Sequence, residues 1–461
     1  MALTNKPTLR IGGFFSFINL IFLSMSNGVE IAKNELAMKE AFLSQSKTVL
    51  TNEARFMKPP CLRVGLEMEA ALVGGNGEQV SEQVRDAIVF HHPFSAQELG
   101  ASQIEWRTEP IRIDEKGGLN MLVQQAEDRN RFIVKSANQL EVNVLRSGTN
   151  PFISIPEIKR TNKKKYELVP DHHNQHRVRK DTLIGHEEKV DVGDAAVVSL
   201  LSSLQCNIQA KNFIDAIDLT NRSMMIGPLI VALSGNARFL DGTDTGMADV
   251  RMTAWETSHD VRDDDQRKAG KALRVGLPDR YFKDMADYFD RISQHPFILN
   301  DPDHALPIGI GLFWQDTRIK VIGDDTLVVE FRPVSIQPSV EEDLAVMLFY
   351  LGRLEWSKIH NEELLPIDQV RENRALAMTH GIKPFQELLG IEIDRAEEAL
   401  LSEGVDDSIH GFMDILRDRV KTGLTPSDKV AKQVKLVEGI GFSRQNALLC
   451  VFGLKSFAMS Y

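Results

Sequence analysis

Glu67 and Glu69 stand two positions apart in the apolar run RVGLEMEAAL, residues 63–72. Read as a strand, this run turns both carboxylates to one face, because side chains alternate along a strand. Two like charges at that range repel, and burying them raises the cost. The pattern recurs. Glu105 and Glu109 share a face in SQIEWRTEPIRI (102–113), and Glu330 precedes Arg332 by two positions in TLVVEFRPV (326–334). LQCNIQ (204–209) sets Gln205, Asn207 and Gln209 on one face. Hard oxygen donors on neighbouring strands are what magnesium or manganese takes. A divalent cation between Glu67 and Glu69 would neutralise their repulsion and keep both ionised. Metals held this way bridge to phosphate oxygens, with ATP as the obvious source. Paired glutamates on a strand also describe an ordinary solvated face. Recurrence on several strands, with arginines alongside, weighs against that reading.

The elements that must position these residues follow from periodicity. Residues 30–57 read as a helix, ended by Pro59-Pro60. The strand around Glu67 follows, with GGNGE (74–78) as a hairpin turn. Residues 118–141 read as a helix. Residues 147–194 are polar and read as a long loop or lid. Residues 195–210 become strand-like at their end, and 211–233 read as a helix broken at Gly227-Pro228. Residues 236–270 read as a second long loop. LPIGIGLFW (306–314), RIKVI (318–322) and TLVVEFRPV read as strands, the last two joined by a turn at 323–325. From Ser339 onward the pattern is helical. Strands and helices do not alternate regularly, so the chain reads as α+β, an antiparallel sheet with helices packed on one face. Three units are expected: an N-terminal segment and helix (1–60), a catalytic domain (61–383) and a C-terminal helical region (384–461). That last region is either a cap or an element of a homo-oligomer.

The composition excludes several classes. With 461 residues and a formal net charge of −11, the chain has no basic surplus for non-specific nucleic-acid binding. Its three cysteines, Cys61, Cys206 and Cys450, form no CxxC pair, so no disulfide framework or cysteine zinc site is expected. A cytoplasmic setting fits. The apolar stretch IGGFFSFINLIFLSM (11–25) follows Lys6 and Arg10 as in a signal peptide, but is short for a membrane span. It is either a signal or anchor, or the mark of a start placed ahead of Met25 or Met38.

Several blocks resemble the glutamate–cysteine ligase and carboxylate–amine ligase family. VGLEMEAALV is similar to its opening G-x-E-x-E strand, and QIEWRTEP to its next acidic strand. SSLQCNIQA resembles the Gln-x-Asn strand of plant-type glutamate–cysteine ligases. GPLIVALSGNARFLDG, DVRMTAWETSHDVR, TLVVEFRPVSIQPSVEEDLAV and RENRALAMTHGI resemble further blocks, in family order from about 61 to 381. The resemblance implies a glutamine-synthetase-like fold, a curved antiparallel sheet forming a funnel with helices on its outer face. It implies activation of a carboxylate by ATP as an acyl phosphate, then attack by an amine. Glutamate and cysteine are the implied substrates. Another amino acid or amine as acceptor, a guanidino-kinase-like phosphotransferase and a non-catalytic relative are the alternatives.

The roles implied are these. Glu67, Glu69, Glu105 and Glu330 would hold Mg²⁺ or Mn²⁺, with Gln205 as a fifth ligand. Arg251 and Arg332 would grip the transferred phosphoryl group or the substrate carboxylate. Arg262 and Lys180 would contact phosphate. Asn207, Asn236 and Trp255 would line the substrate pocket. Gln205-Cys206-Asn207 departs from the His-x-His of many bacterial relatives, and Arg238 is unexpected in its loop. His172, His173 and His176 lack metal-helix spacing and are expected in an exposed loop or a lid over ATP. Cys206 is expected to be a small buried residue.

Overall fold

The computed structural model describes residues 30–31, 35–178 and 181–454. The apolar stretch 11–25 and Lys180 lie outside them. The centre of the molecule is an eight-stranded sheet. Its strands are β1 (Arg63–Val73), β2 (Ser95–Gln97), β3 (Gln103–Arg107), β4 (Ile111–Arg112), β5 (Asn143–Leu145), β6 (Ser203–Ala210), β7 (Thr317–Ile322) and β8 (Thr326–Ser335). The main path runs β7–β8–β6–β1–β3–β2, and β4 and β5 also pair with β1. Every pairing in this sheet is antiparallel, and the sheet curls into a half-barrel. The expected α+β architecture is what the chain adopts.

Alternation decides what each sheet face meets. On β1, Val64, Leu66, Met68 and Ala70 are buried among apolar neighbours, while Glu67 and Glu69 point to the other face, into a cavity. Behind the sheet, the helix Phe213–Ser234 packs on β8 and on the helix Val340–Ile359. Phe331 of β8 stacks on Tyr350 with ring centroids 4.1 Å apart. Cys206 sits opposite Phe331 and is fully buried, as expected. The helix Gln386–Ser402 packs closely on Val340–Ile359. A Cβ at Gly352 would stand 2.2 Å from the Ala396 carbonyl oxygen, so only glycine allows this approach. The main apolar core takes in Met38 at one end and Leu416 at the other, so packing does not break at 60 or 383.

Several expectations are corrected. Residues 306–314 contain a helix, Ala305–Gly311, where a strand was expected. A short apolar run fits either element, and here the Phe42 ring fills the groove that Gly309 leaves open. Phe213–Ser234 is unbroken by Pro228, because burial on nearly every face outweighs the hydrogen bond that proline removes. After residues 74–78 the chain returns only as a single bridge, Val73 to Gln79, and then enters the helix Glu82–Phe90. The polar stretches are not bare loops. Residues 147–194 hold the helix Lys164–His176, and 236–270 hold Arg251–Ser258 and Asp264–Lys268. His173 is buried on its helix, its ring 4.2 Å from that of His259, so the histidine cluster is not an exposed loop. Among the described residues no helix is long and apolar enough to cross a membrane.

Candidate active site

Register brings the polar residues of five strands into one row. On β1, Glu67 faces Gln205 of β6 on one side and Arg107 of β3 on the other. Glu69 faces Glu105. On β8, Glu330 faces Asn207 of β6 and Arg318 of β7. Asn207 in turn faces Gly65, whose missing side chain lets the amide reach diagonally to Glu67 Oε1 at 3.0 Å.

At the β7–β8 end, positive charge dominates. Glu330 is fully buried, and Arg318, Lys320 and Arg332 all pair with it. Burial alone would raise its pKa. The three cations outweigh burial and hold its carboxyl well below the usual range. Lys320 also reaches Glu67 Oε1 at 3.1 Å and Asn207 Oδ1 at 3.2 Å. Arg332 Nη1 donates to Gln205 Oε1 at 2.7 Å. Arg251, at the start of its helix, donates from Nη2 to the Arg332 carbonyl at 3.0 Å. Burial lowers the pKa of Arg251, whereas Glu330 raises that of Arg332 against the effect of burial.

At the β1–β3 end, negative charge dominates. Glu69 accepts from the Ser203 amide at 2.7 Å and from Gln205 Nε2 at 2.9 Å. Burial first, and Glu98 second, push its carboxyl up to about 7. Burial, Glu67 and Glu98 push Glu105 well above its ordinary value. Glu98 is itself raised, chiefly by burial.

Both ends open into one cavity of about 1150 Å³. Glu67, Glu69, Glu98, Glu105, Gln205, Arg251, Arg318, Lys320 and Arg332 line it. Trp255, His259 and Trp314 form an aromatic corner, with Arg332 5.7 Å from the centre of the Trp255 ring. Lys163, Lys165 and Tyr166 enter from the polar segment. Leu299, Leu306, Ile308 and Leu312 supply an apolar wall.

Of the residues expected from sequence, Glu67, Glu69, Glu105, Gln205, Arg251, Arg332 and Trp255 share this cavity. Five others take different places. Glu330 and Asn207 lie beneath the lining, where Glu330 is the counter-ion of three cations instead of a carboxylate facing the cavity. Asn236 is buried away from it and donates to the carbonyls of Arg146 and Ile336, at 3.2 and 2.7 Å, fixing two loops. Arg262 forms a two-pronged pair with Asp260, 2.9 Å at each contact, outside the cavity. Glu109 falls beyond the end of β3.

Sequence reasoning passed over Arg318, Lys320, Glu98, Lys163 and Lys165. The first two had a signal: RIKVI places two basic residues at i and i+2 on a strand. Glu98 and Lys163 sit in connections and Lys165 in the first turn of a helix, where no periodicity marks them.

Cation binding can be tested on the donor set. Glu67, Glu69, Glu98 and Glu105 are hard oxygen donors around one space, and burial with mutual repulsion makes the charge of Glu69, Glu98 and Glu105 costly without cations. This chemistry fits Mg²⁺ or Mn²⁺. Among the described residues, no three His, Cys, Asp or Glu side chains converge on one ion as they stand. Gln205 is less suited, since Arg332 already takes its oxygen.

The sequence pattern of glutamate-cysteine ligase family 2 (GCS2) matches residues 63–435. A bifunctional glutathione synthetase from Pasteurella multocida superposes with a TM-score of 0.55 at 11% identity, over 90% of this chain and 54% of that one. This chain therefore spans about half the length of that protein, and the likeness concerns the fold. A glutamate–cysteine ligase from Francisella tularensis in complex with AMP aligns with a TM-score of 0.49 at 12% identity, over 87% of this chain and 90% of that one. Among curated proteins, a sequence search finds no match.

Proposed function

The chain belongs to glutamate–cysteine ligase family 2, and from that membership we propose that it joins a carboxylate to an amine at the expense of ATP. Glutamate is the carboxylate and cysteine the amine in this reading. The observation that carries it is the row of Glu67, Glu69 and Glu105 facing the same cavity as Arg332, Arg251 and Lys320. Phosphoryl transfer asks a protein for little covalent chemistry. It asks for carboxylates that hold divalent cations and for fixed positive charge where negative charge is moved.

In the first step a carboxylate oxygen of the substrate bonds to the γ-phosphorus of ATP, the bridging P–O bond breaks, and ADP leaves. In the second the amine attacks the acyl carbon, inorganic phosphate leaves, and the nitrogen loses a proton. Mg²⁺ or Mn²⁺, bound by Glu67, Glu69 and Glu105 with Glu98 nearby, would screen the phosphate oxygens from the approaching carboxylate. Arg332, oriented by Glu330 and Gln205, and Arg251, oriented through the Arg332 carbonyl, would hold the substrate carboxylate or the phosphoryl oxygens in the two-pronged way open to guanidinium. Lys320, tied to Glu330, Glu67 and Asn207, keeps Glu67 aimed into the row. Trp255, with His259 and Trp314, closes one side of the pocket and excludes water from it.

The test is ADP release by the full chain with ATP, Mg²⁺ and glutamate, adding amino acids and simple amines in turn. Release that needs both glutamate and cysteine, with the amide seen by mass spectrometry, supports the reading. Release with glutamate and a different amine keeps the ligase and changes its acceptor. No release with any pair removes it.

A further inference from the structure

Arg332 stands at an irregularity of β8. Phe331 faces Cys206 of β6 but Val334 faces Leu204, so Arg332 and Pro333 together lie opposite Gln205. Such a bulge re-aims a side chain and takes backbone groups out of the ladder. The proline beside it has no N–H to restore a bond. The Arg332 amide instead donates to the Asp316 carbonyl at 2.8 Å, and the Arg332 carbonyl accepts from Arg251 Nη2 at 3.0 Å. What fixes Asp316 and the helix of Arg251 therefore fixes the aim of both arginines.

Arg374 reaches both. It lies on the helix Ile367–His380, within the block RENRALAMTHGI, and is buried outside the cavity lining. Its Nε and Nη2 donate to the two carboxylate oxygens of Asp316, the second at 2.8 Å. Nη2 also pairs with Glu256 Oε1 at 2.6 Å. Asp316 immediately precedes β7, and its amide donates to the Gly276 carbonyl at 2.8 Å. Glu256 follows Trp255 on the helix Arg251–Ser258. The contacts close a ring: Arg332 to Asp316, Asp316 to Arg374, Arg374 to Glu256, then along the helix to Arg251 and back to Arg332. The helix of Arg374 also holds the start of the shorter one, because the Ala248 and Asp249 amides donate to the Thr379 and Met378 carbonyls at 3.1 and 2.8 Å. Burial acts to lower the pKa of Arg374, but Asp316 and Glu256 outweigh it and raise it, so the guanidinium stays charged. Arg371, one turn earlier, is exposed and donates to the Pro278 carbonyl at 2.9 Å, outside the ring. Its charge acts on Glu256 less than that of Arg374 does.

We propose that Arg374 is a positioning residue, which sets the spacing of Arg251 and Arg332 by forking to Asp316 and Glu256. The inference rests on the ligase reading above, in which those two arginines hold the substrate carboxylate or the phosphoryl oxygens. An ammonium lacks the planar fork that spans two carboxylates, so lysine at this position supplies the charge without the geometry.

The experiment is steady-state ADP release by the full chain, with glutamate varied, beside calorimetric titration with Mg-ATP. The proteins are the wild type, Arg374→Lys, Glu256→Ala and Arg371→Gln, and rates are expressed per folded molecule from parallel unfolding curves. Glu256→Ala opens the ring while Arg374 keeps Asp316, so it carries the test if Arg374→Lys fails to fold. In both ring variants kcat/KM for glutamate should fall by about a hundredfold, the loss that small misplacements produce. Mg-ATP affinity should change by less than about threefold, because Glu67, Glu69 and Glu105 stand on strands outside the ring. Arg371→Gln should stay within about twofold of wild type on both measures. A purely structural Arg374 predicts instead that folded Arg374→Lys turns over like wild type, and that result overturns the assignment. So does an equal loss in Arg371→Gln, a matching loss of Mg-ATP affinity, or failure of both ring variants to fold. Wild-type protein that releases no ADP with any carboxylate and amine overturns the ligase reading and takes this assignment with it. Active wild type with equally active ring variants overturns only Arg374.

Discussion

The two ends of the cavity treat a buried carboxylate in opposite ways. At the β7–β8 end, Glu330 is completely buried and yet strongly acidic, because Arg318, Lys320 and Arg332 surround it. At the β1–β3 end, Glu69 and Glu105 are weak acids, because burial and other glutamates act on them without that compensation. Desolvation is common to both; neighbouring charge decides the outcome. The first arrangement is complete in itself and builds structure. The second leaves its carboxylates raised, and in the proposed function divalent cations would complete it. The contrast separates residues that position the site from residues that act in it.

Removing Glu330 should break the molecule first. Glu330→Gln leaves three cations around an uncharged group, and loss of one partner from a buried ionic cluster costs about 3–5 kcal/mol. Denaturant unfolding should show a drop of that order, with turnover lost as well. A stable Glu330→Gln protein would erase the distinction between the two ends. Glu69→Gln should behave in the opposite way. Burial disfavours its charged form, so metal-free stability at pH 7 should rise, by at most about 3 kcal/mol, while turnover falls on the order of a hundredfold. Parallel unfolding and ADP-release measurements on one preparation check both.

The contrast also has a pH signature. Glu69 has its folded pKa raised to about 7, so it binds a proton in the folded state that the unfolded state has released. Its contribution to stability is present below the unfolded value near 4.5 and is lost as pH rises through 7, by at most about 3 kcal/mol. Unfolding of metal-free wild type and Glu69→Gln between pH 5 and 8 should differ by this falling term, and Mg²⁺ should shrink it. His259 beside the cavity carries the reverse sign. Burial lowers it to about 3, so its contribution is full above 6.5 and is lost as pH falls, at about 1.4 kcal/mol per unit. His259→Gln should flatten that acid limb. The smallest effect is expected at Arg262, outside the cavity: Arg262→Gln should leave turnover within about twofold of wild type in the same ADP assay.

What could be read from the sequence follows the regular elements. β1 and β8 announced themselves by alternation, and with them came Glu67, Glu69, Glu330 and Arg332. Arg251 and Trp255 came through the family resemblance and do reach the cavity. The misses have physical causes. The helix Ala305–Gly311 was hidden because a short apolar run has no decisive period. Asn236 stands at a family-like position, but its amide is consumed by two backbone carbonyls. Arg262 met Asp260 two residues away, a pairing that chain direction alone does not reveal. Glu98, Lys163 and Lys165 were invisible because tertiary packing of two connections, through Arg85 and Thr161, is what brings them together.

The central claim is that a carboxylate is activated by phosphoryl transfer in this cavity. It is tested most directly with glutamate labelled by ¹⁸O in its side-chain carboxylate, turned over with ATP, Mg²⁺ and the accepting amine. The account predicts one labelled oxygen in the inorganic phosphate released per amide formed, because the carboxylate oxygen that attacks phosphorus leaves with it. Amide formation with unlabelled phosphate would contradict it.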